Sequence, residues 1–251
     1  MNRNRLMACL IAAPTLFTQA CGRASADSPT PAANVAPRML SVALVDRSMS
    51  RTPDQLNADR TLLDGLIQDL GFGDRFVLAQ VHANGQGDIV KRWIDHVPDA
   101  ADATAATPVE IQSLQQWRNA GAKAARALFD STRANHTDLL ASFADVADYL
   151  SESRLPKARL IVFSDMLQST PDFDMESRDS VPGAAWIHDR KTHGQLPNLK
   201  GLCVVVVGAQ SRSPRDVAVR RFWQSYFQAS GATLNGSDYR YTATDPAGLR
   251  C

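Results

Sequence analysis

Leu40-Ser41-Val42-Ala43-Leu44-Val45 runs directly into Asp46-Arg47-Ser48-Met49-Ser50, so an apolar stretch ends abruptly in a carboxylate and two hydroxyls. A short apolar run without helical period reads as a strand buried on both faces, and open α/β sheets gather ligands at the carboxyl ends of such strands. Asp46, Ser48 and Ser50 fall on alternate residues and are able to converge on one cation. Carboxylate and hydroxyl oxygens suit magnesium or manganese, whereas zinc or copper would call for imidazole or thiolate. Taken alone, the two serines are equally well explained as turn and cap residues. Thr52, Pro53 and Gln55 follow as an N-cap, a proline at the first helical position and a capping-box glutamine, which places the motif in a strand-to-helix loop.

The chain has 251 residues, room for one α/β domain and an export segment. Residues 1–20 carry Arg3 and Arg5 before an apolar run from Leu6 to Phe17, the form of a secretory signal peptide. Thr18-Gln19-Ala20-Cys21 resembles a bacterial lipobox, which implies acylation of Cys21 and, with Gly22 following it, an outer-membrane anchor facing the periplasm. Thr18 departs from that pattern, where leucine is usual. Residues 21–38 are rich in Ala, Ser and Pro and read as a flexible tether, leaving 39–251 as the folded part. The net charge is +1, two positive charges of which belong to Arg3 and Arg5, so the remainder stands at −1 and offers no electrostatic case for nucleic acid. Of the four cysteines, Cys203 and Cys251 would remain to pair in an oxidising compartment, although Cys203 opens the apolar run Leu202–Val207, where a buried thiol is common.

Periodicity predicts a helix over 53–70, a strand from Arg75 to His82, and a hairpin through Asn84-Gly85-Gln86-Gly87-Asp88 into an extended run near Ile89 to Val97. A long helix follows over 109–129, interrupted only by Gly121, then a third over 139–150 with Thr137 at its start. Ala158 to Ser164 reads as a buried strand stopping at Asp165. Another strand, Leu202 to Val207, precedes a helix over 214–229, and Tyr239 to Thr242 forms a last short strand. Residues 166–200 show no sustained helical stripe and read as a long loop, most simply a solvated acidic turn and a surface segment. His188 and His193 lack the further ligands of a zinc pattern. Arg118, Lys123, Arg126 and Arg133 read as a solvated helix face, His136 as an ordinary helix-entry residue, and Phe222, Trp223, Tyr226 and Phe227 as core. The alternation predicts a three-layer, doubly wound α/β fold, its sheet mainly parallel and covered by helices on both faces.

In this order Asp46, Ser48 and Ser50, then Thr137, then Asp165 resemble the metal-ion-dependent adhesion site of von Willebrand factor A domains. The resemblance covers about Met39 to Thr242. It implies that the hydroxyls bind a divalent ion, usually magnesium, with Mn or Ca as substitutes, while the aspartates coordinate it directly or through water. It further implies a protein partner whose acidic side chain fills the open position. Family members often carry glycine where Met49 and Met166 stand and just before Thr137, which bears on ion affinity. The expectation is therefore an exported, lipid-anchored protein-binding module. A metal-independent scaffold of an envelope assembly is the alternative. An Mg-dependent phosphohydrolase of the haloacid dehalogenase type is disfavoured, since it needs a second aspartate where Ser48 stands. Neither a Gly-x-Ser-x-Gly elbow nor a phosphate-cradling glycine loop is present.

Overall fold

The computed structural model describes residues 38–83, 91–153, 155–176, 181–210 and 212–249. The signal, tether and Cys21 lie outside the described residues, as do the glycine-rich hairpin spacer and Cys251.

Strand β1 (Met39–Val45) leads through the predicted loop into helix α1 (Pro53–Asp69). Thr52 and Gln55 close the expected capping box, with Gln55 N donating to Thr52 Oγ1 at 3.3 Å and Thr52 N to Gln55 Oε1 at 2.8 Å. Strands β2 (Arg75–Gln80) and β3 (Lys91–His96) follow, then helices α2 (Pro108–Phe129) and α3 (Leu139–Ser153). Strand β4 (Lys157–Phe163), helix α4 (Ala184–Thr192), strand β5 (Leu202–Val207), helix α5 (Pro214–Ala229) and the two-residue strand β6 (Tyr239–Arg240) complete the order. None of the described helices is long and apolar enough to cross a membrane.

The sheet order is β3-β2-β1-β4-β5-β6, parallel throughout except for the antiparallel β2–β3 pair. β1 is central, and its residues alternate between two apolar cores. Leu40, Val42 and Leu44 pack with α3 and α5, including Phe143, Trp223 and Phe227. Ala43 and Val45 pack with α1 and α2, including Leu63, Leu66 and Leu128. Both faces are therefore covered, the condition that makes the strands read as continuous apolar runs. Chain order leaves β1 toward β2 on one side and resumes at β4 on the other, so the loops after β1 and β4 part at a switch point, where such sheets open a crevice.

Two sequence readings acquire physical reasons. Gly121 interrupts α2 because a Cβ there would come within 2.7 Å of the Trp93 ring, which packs at a tilt against Trp117 with ring centroids 4.7 Å apart. Residues 166–200, read as a loop, contain α4 and bury Phe173, Met175, Ile187 and Leu199. The helix escaped detection because Ile187 is its only fully buried side chain, so it carries no apolar stripe. Phe222, Trp223, Tyr226 and Phe227 are buried as expected. In an open helix Gly121→Ala would gain about 1 kcal/mol of propensity. Here it is expected to lose about 1–3 kcal/mol by overpacking against Trp93, read as a lowered thermal midpoint.

Candidate metal centre

Asp46 sits one residue beyond β1, its amide bonded to Phe163 O at 2.9 Å, and is 1% exposed. Its Oδ1 accepts from Ser48 N at 2.8 Å, the turn that folds the motif back on itself. Its Oδ2 accepts from Ser164 Oγ at 2.7 Å, and Ser164 Oγ in turn accepts from Met166 N at 2.9 Å. Ser164 thus ties the first ligand loop to the third. Read from sequence, it was only the last residue of a strand, with nothing to mark it as a partner of Asp46.

The hydroxyls of Ser48 and Ser50 lie 2.8 Å apart. Adjacent ligands of an octahedral magnesium ion, at about 2.0–2.1 Å from the metal, are about 2.9 Å from each other. Thr137 is 1% exposed, and its Oγ1 is buried with no hydrogen-bond partner. A lone buried hydroxyl costs free energy unless something binds it. Asp46 is raised from its ordinary value first by burial and then by the Asp165 charge, while bonds from Ser164 and Ser48 pull it down. A buried carboxylate whose ionisation is opposed by burial and by a second carboxylate, together with an orphaned hydroxyl and a matched hydroxyl pair in the loops tied to it, suits a small divalent cation. Among the described residues no three His, Cys, Asp or Glu side chains form a metal-binding group. The oxygen set has only two carboxylates, and its other donors are hydroxyls.

The loop bearing Thr137 is held from both sides. Ala134 N donates to Arg47 O and Met49 N to Ala134 O, each at 3.0 Å. Thr137 exchanges backbone bonds with Ser169, at 2.8 and 3.3 Å. Buried Gln168 accepts from Leu139 N and Leu140 N at 2.7 and 3.3 Å and donates to Asp138 Oδ1 at 3.0 Å, capping α3 from another loop. Arg133 does not belong to a solvated face. Its guanidinium donates to Ser48 O at 2.7 Å and also to Arg51 O. Gln168 and Arg133 act through tertiary contacts, for which no local sequence signal exists. His136 is exposed, and so are Asp172 and Glu176 of the acidic turn, while Phe173 and Met175 between them are buried. Glu176 is raised by burial, then by Asp165, Asp174 and Asp46, which puts it in the field of the candidate centre.

The missing glycines are answered differently. Met49 is simply exposed, at 62%. Met166 has φ +66°, the left-handed region that glycine adopts freely. Its side chain is fully buried, and Trp223 Nε1 on α5 donates to its carbonyl at 2.8 Å. Arg51 next to the motif is buried and paired with Asp59 beneath Gly208, whose φ of +107° and lack of Cβ leave space for the guanidinium. Cys203 is disulfide-bonded; its expected partner Cys251 is outside the described residues.

No family model matches the sequence, and no curated protein does. Solved structures do match. A variant of the PilB minor pilin from Streptococcus sanguinis aligns with a TM-score of 0.54 at 12% identity, covering 88% of this chain and 60% of that one. A von Willebrand factor type A structure from Catenulispora acidiphila aligns at 0.46 and 14%, covering 85% and 40%. Proximal thread matrix protein 1 of the mussel byssus aligns at 0.43 and 11%, covering 85% and 45%. The chain spans less than two thirds of each of these. Among the described residues the fold is a mostly parallel six-strand sheet with five α-helices, and the likeness to the pilin at a TM-score of 0.54 shows that α/β fold alone.

Two outcomes follow from this geometry. Trp223→Phe keeps most of the ring but removes the donor to Met166 O, and is expected to cost about 1–3 kcal/mol in thermal unfolding. Asp59 is pushed up to about 6, first by burial, with Arg51 opposing. A carboxyl raised on folding favours the folded state while protonated; that contribution is full below 3.8 and is lost as pH rises through about 6. In chelator, the drop in stability between pH 4 and pH 6 should therefore be smaller in Asp59→Asn than in the parent, measured by denaturant titration at each pH.

Proposed function

We propose that this chain is an exported, lipid-anchored von Willebrand factor A-like module that captures a protein partner through a divalent ion, magnesium first. Asp46, Ser48, Ser50, Thr137 and Asp165 would hold the ion. The observation that carries the reading is the buried, partnerless Oγ1 of Thr137, in a loop bonded both to the one containing Ser48 and to the one following Asp165. When bound, a divalent ion with an open position accepts a carboxylate from outside. The protein's own residues supply the rest: Ser164 fixes the Asp46 carboxylate, Gln168 and Ser169 fix the Thr137 loop, and Trp223 holds the turn after Asp165. Such a centre recognises and has no need to catalyse, since Ser48 stands where a phosphohydrolase would carry its second aspartate.

Export rests on the residues 1–20 and Cys21, and it agrees with a fold shared with a minor pilin. A periplasmic, outer-membrane-anchored position is part of the proposal. The metal-independent scaffold is favoured by one observation: Ser48 and Ser50 already satisfy each other by a hydrogen bond.

Magnesium is expected to stabilise the protein by about 2.7 kcal/mol at a hundredfold excess over Kd. Asp46→Ala should abolish that gain, and chelator should release a partner captured from envelope extract. Unchanged stability in magnesium together with unchanged capture in chelator would leave the scaffold reading standing.

A further inference from the structure

The chain past β6 returns over the α1/α2 side of the sheet as a strap. Pro246–Leu249 form a single 3-10 turn that packs on α1, where a Cβ at Gly65 would collide with the Pro246 ring. Leu249 is fully buried in the core that also holds Ala43, Ile161 and Val205 of the sheet. Its carbonyl accepts from Arg159 Nη1 at 3.4 Å, and Arg159 Nε donates to Ser41 Oγ at 2.8 Å.

Ser41, Arg159 and Cys203 are direct neighbours across β1, β4 and β5. Two residues further along each strand stand Ala43, Ile161 and Val205, so by alternation the row faces the same side as Leu249. Adjacent strands are about 4.8 Å apart, which makes the row about 10 Å long. Cys203 is half-buried and disulfide-bonded. Cys251 follows Leu249 by two residues, a reach of about 7 Å, and a disulfide joins Cα atoms about 4.4–6.8 Å apart. Together these spans cover the distance from the Leu249 anchor to Cys203. On the export reading, Cys9 leaves with the signal and acylation consumes Cys21.

We infer that Cys203 and Cys251 form a disulfide that latches the C-terminal strap over the α1/α2 core, and that the latch closes only after export. One thiolate attacks the disulfide of a thiol oxidoreductase, giving a mixed disulfide and releasing one oxidant thiolate; the second cysteine then displaces the other. The two cysteines lose two protons and two electrons, and the oxidant leaves as a dithiol. In a reducing compartment both stay thiols, and the strap rests on Pro246, Leu249 and one long hydrogen bond. A bond closing so long a loop restricts the unfolded chain, so full stability is reached only outside the compartment of synthesis. The timing rests on the export reading, the pairing on the strap geometry, and neither on the ion centre.

The test isolates the exported protein in an alkylating agent and cleaves it before aspartates without reduction. Fragments 189–215 and 245–251 are expected as one species that separates on reduction. Reduction of the parent, and Cys251→Ser, should each lower the thermal midpoint by about 5–10 °C and raise amide exchange over residues 243–249. Reduction should add nothing further in the variant. Alkylated Cys203 in the exported protein overturns the pairing, and so does a bond from Cys203 to Cys21, which removes the lipid anchor as well. An unchanged midpoint and unchanged exchange on reduction overturn the latch. The same bond in chain held in the reducing compartment overturns its dependence on export. A chain found only there, unprocessed and reduced, overturns export instead, and oxidised glutathione added to it then tests the pairing by the same fragments.

Discussion

The hydrogen bond from Ser164 Oγ to the Asp46 carboxylate is the contact on which the rest of the site depends. It joins the ends of β1 and β4 where the chain order of the sheet reverses, and it does so without water, between groups that are almost fully buried. Asp46 would otherwise face Asp165 with little to offset the loss of hydration. Because Ser164 also accepts from Met166 N, one hydroxyl orients a ligand on one strand and starts the turn on its neighbour. The remaining ties, from Ser169 to Thr137 and from Ala134 to Arg47 and Met49, extend this frame to the loop bearing Thr137.

Much of the framework is legible in the chain itself. β1, β4 and β5 announce themselves as apolar runs because both faces of the sheet are covered, and α1 announces its start because Thr52, Pro53 and Gln55 must cap it locally. The candidate ligands are legible for the same reason, since each stands at the end of a local element. What holds them is not. Gln168 caps α3 from 28 or more residues away, and Arg133 ties a loop 85 residues distant. Helix α4 is hidden for another reason: it meets the core through Ile187 and the half-buried Trp186, too few residues to set a period.

Around the centre, charge is arranged in layers. The Asp46 carboxylate is buried, Asp165 is half-buried, and both act on Glu176. Guanidiniums stand behind the first loop: Arg51 is paired with Asp59, while Arg133 is spent on backbone carbonyls and lowers Arg47 across a shared neighbourhood, after burial. The cations therefore stiffen the loop without neutralising the carboxylates.

Met166 and Trp223 lie far apart in the chain, yet they share one constraint. A glycine after Asp165 would adopt φ +66° with no strain, and its neighbours would be at liberty to vary. Methionine there is tolerated because its side chain fills the core beside α5 and because an indole N–H holds its carbonyl. The two residues are thus coupled physically: loss of the indole would leave the Met166 carbonyl without its donor, and a glycine at 166 would relax the turn while opening a hole in the core. In relatives of this chain, glycine at 166 and tryptophan at 223 should have drifted as alternatives, with the aromatic helix recording which solution the turn adopted.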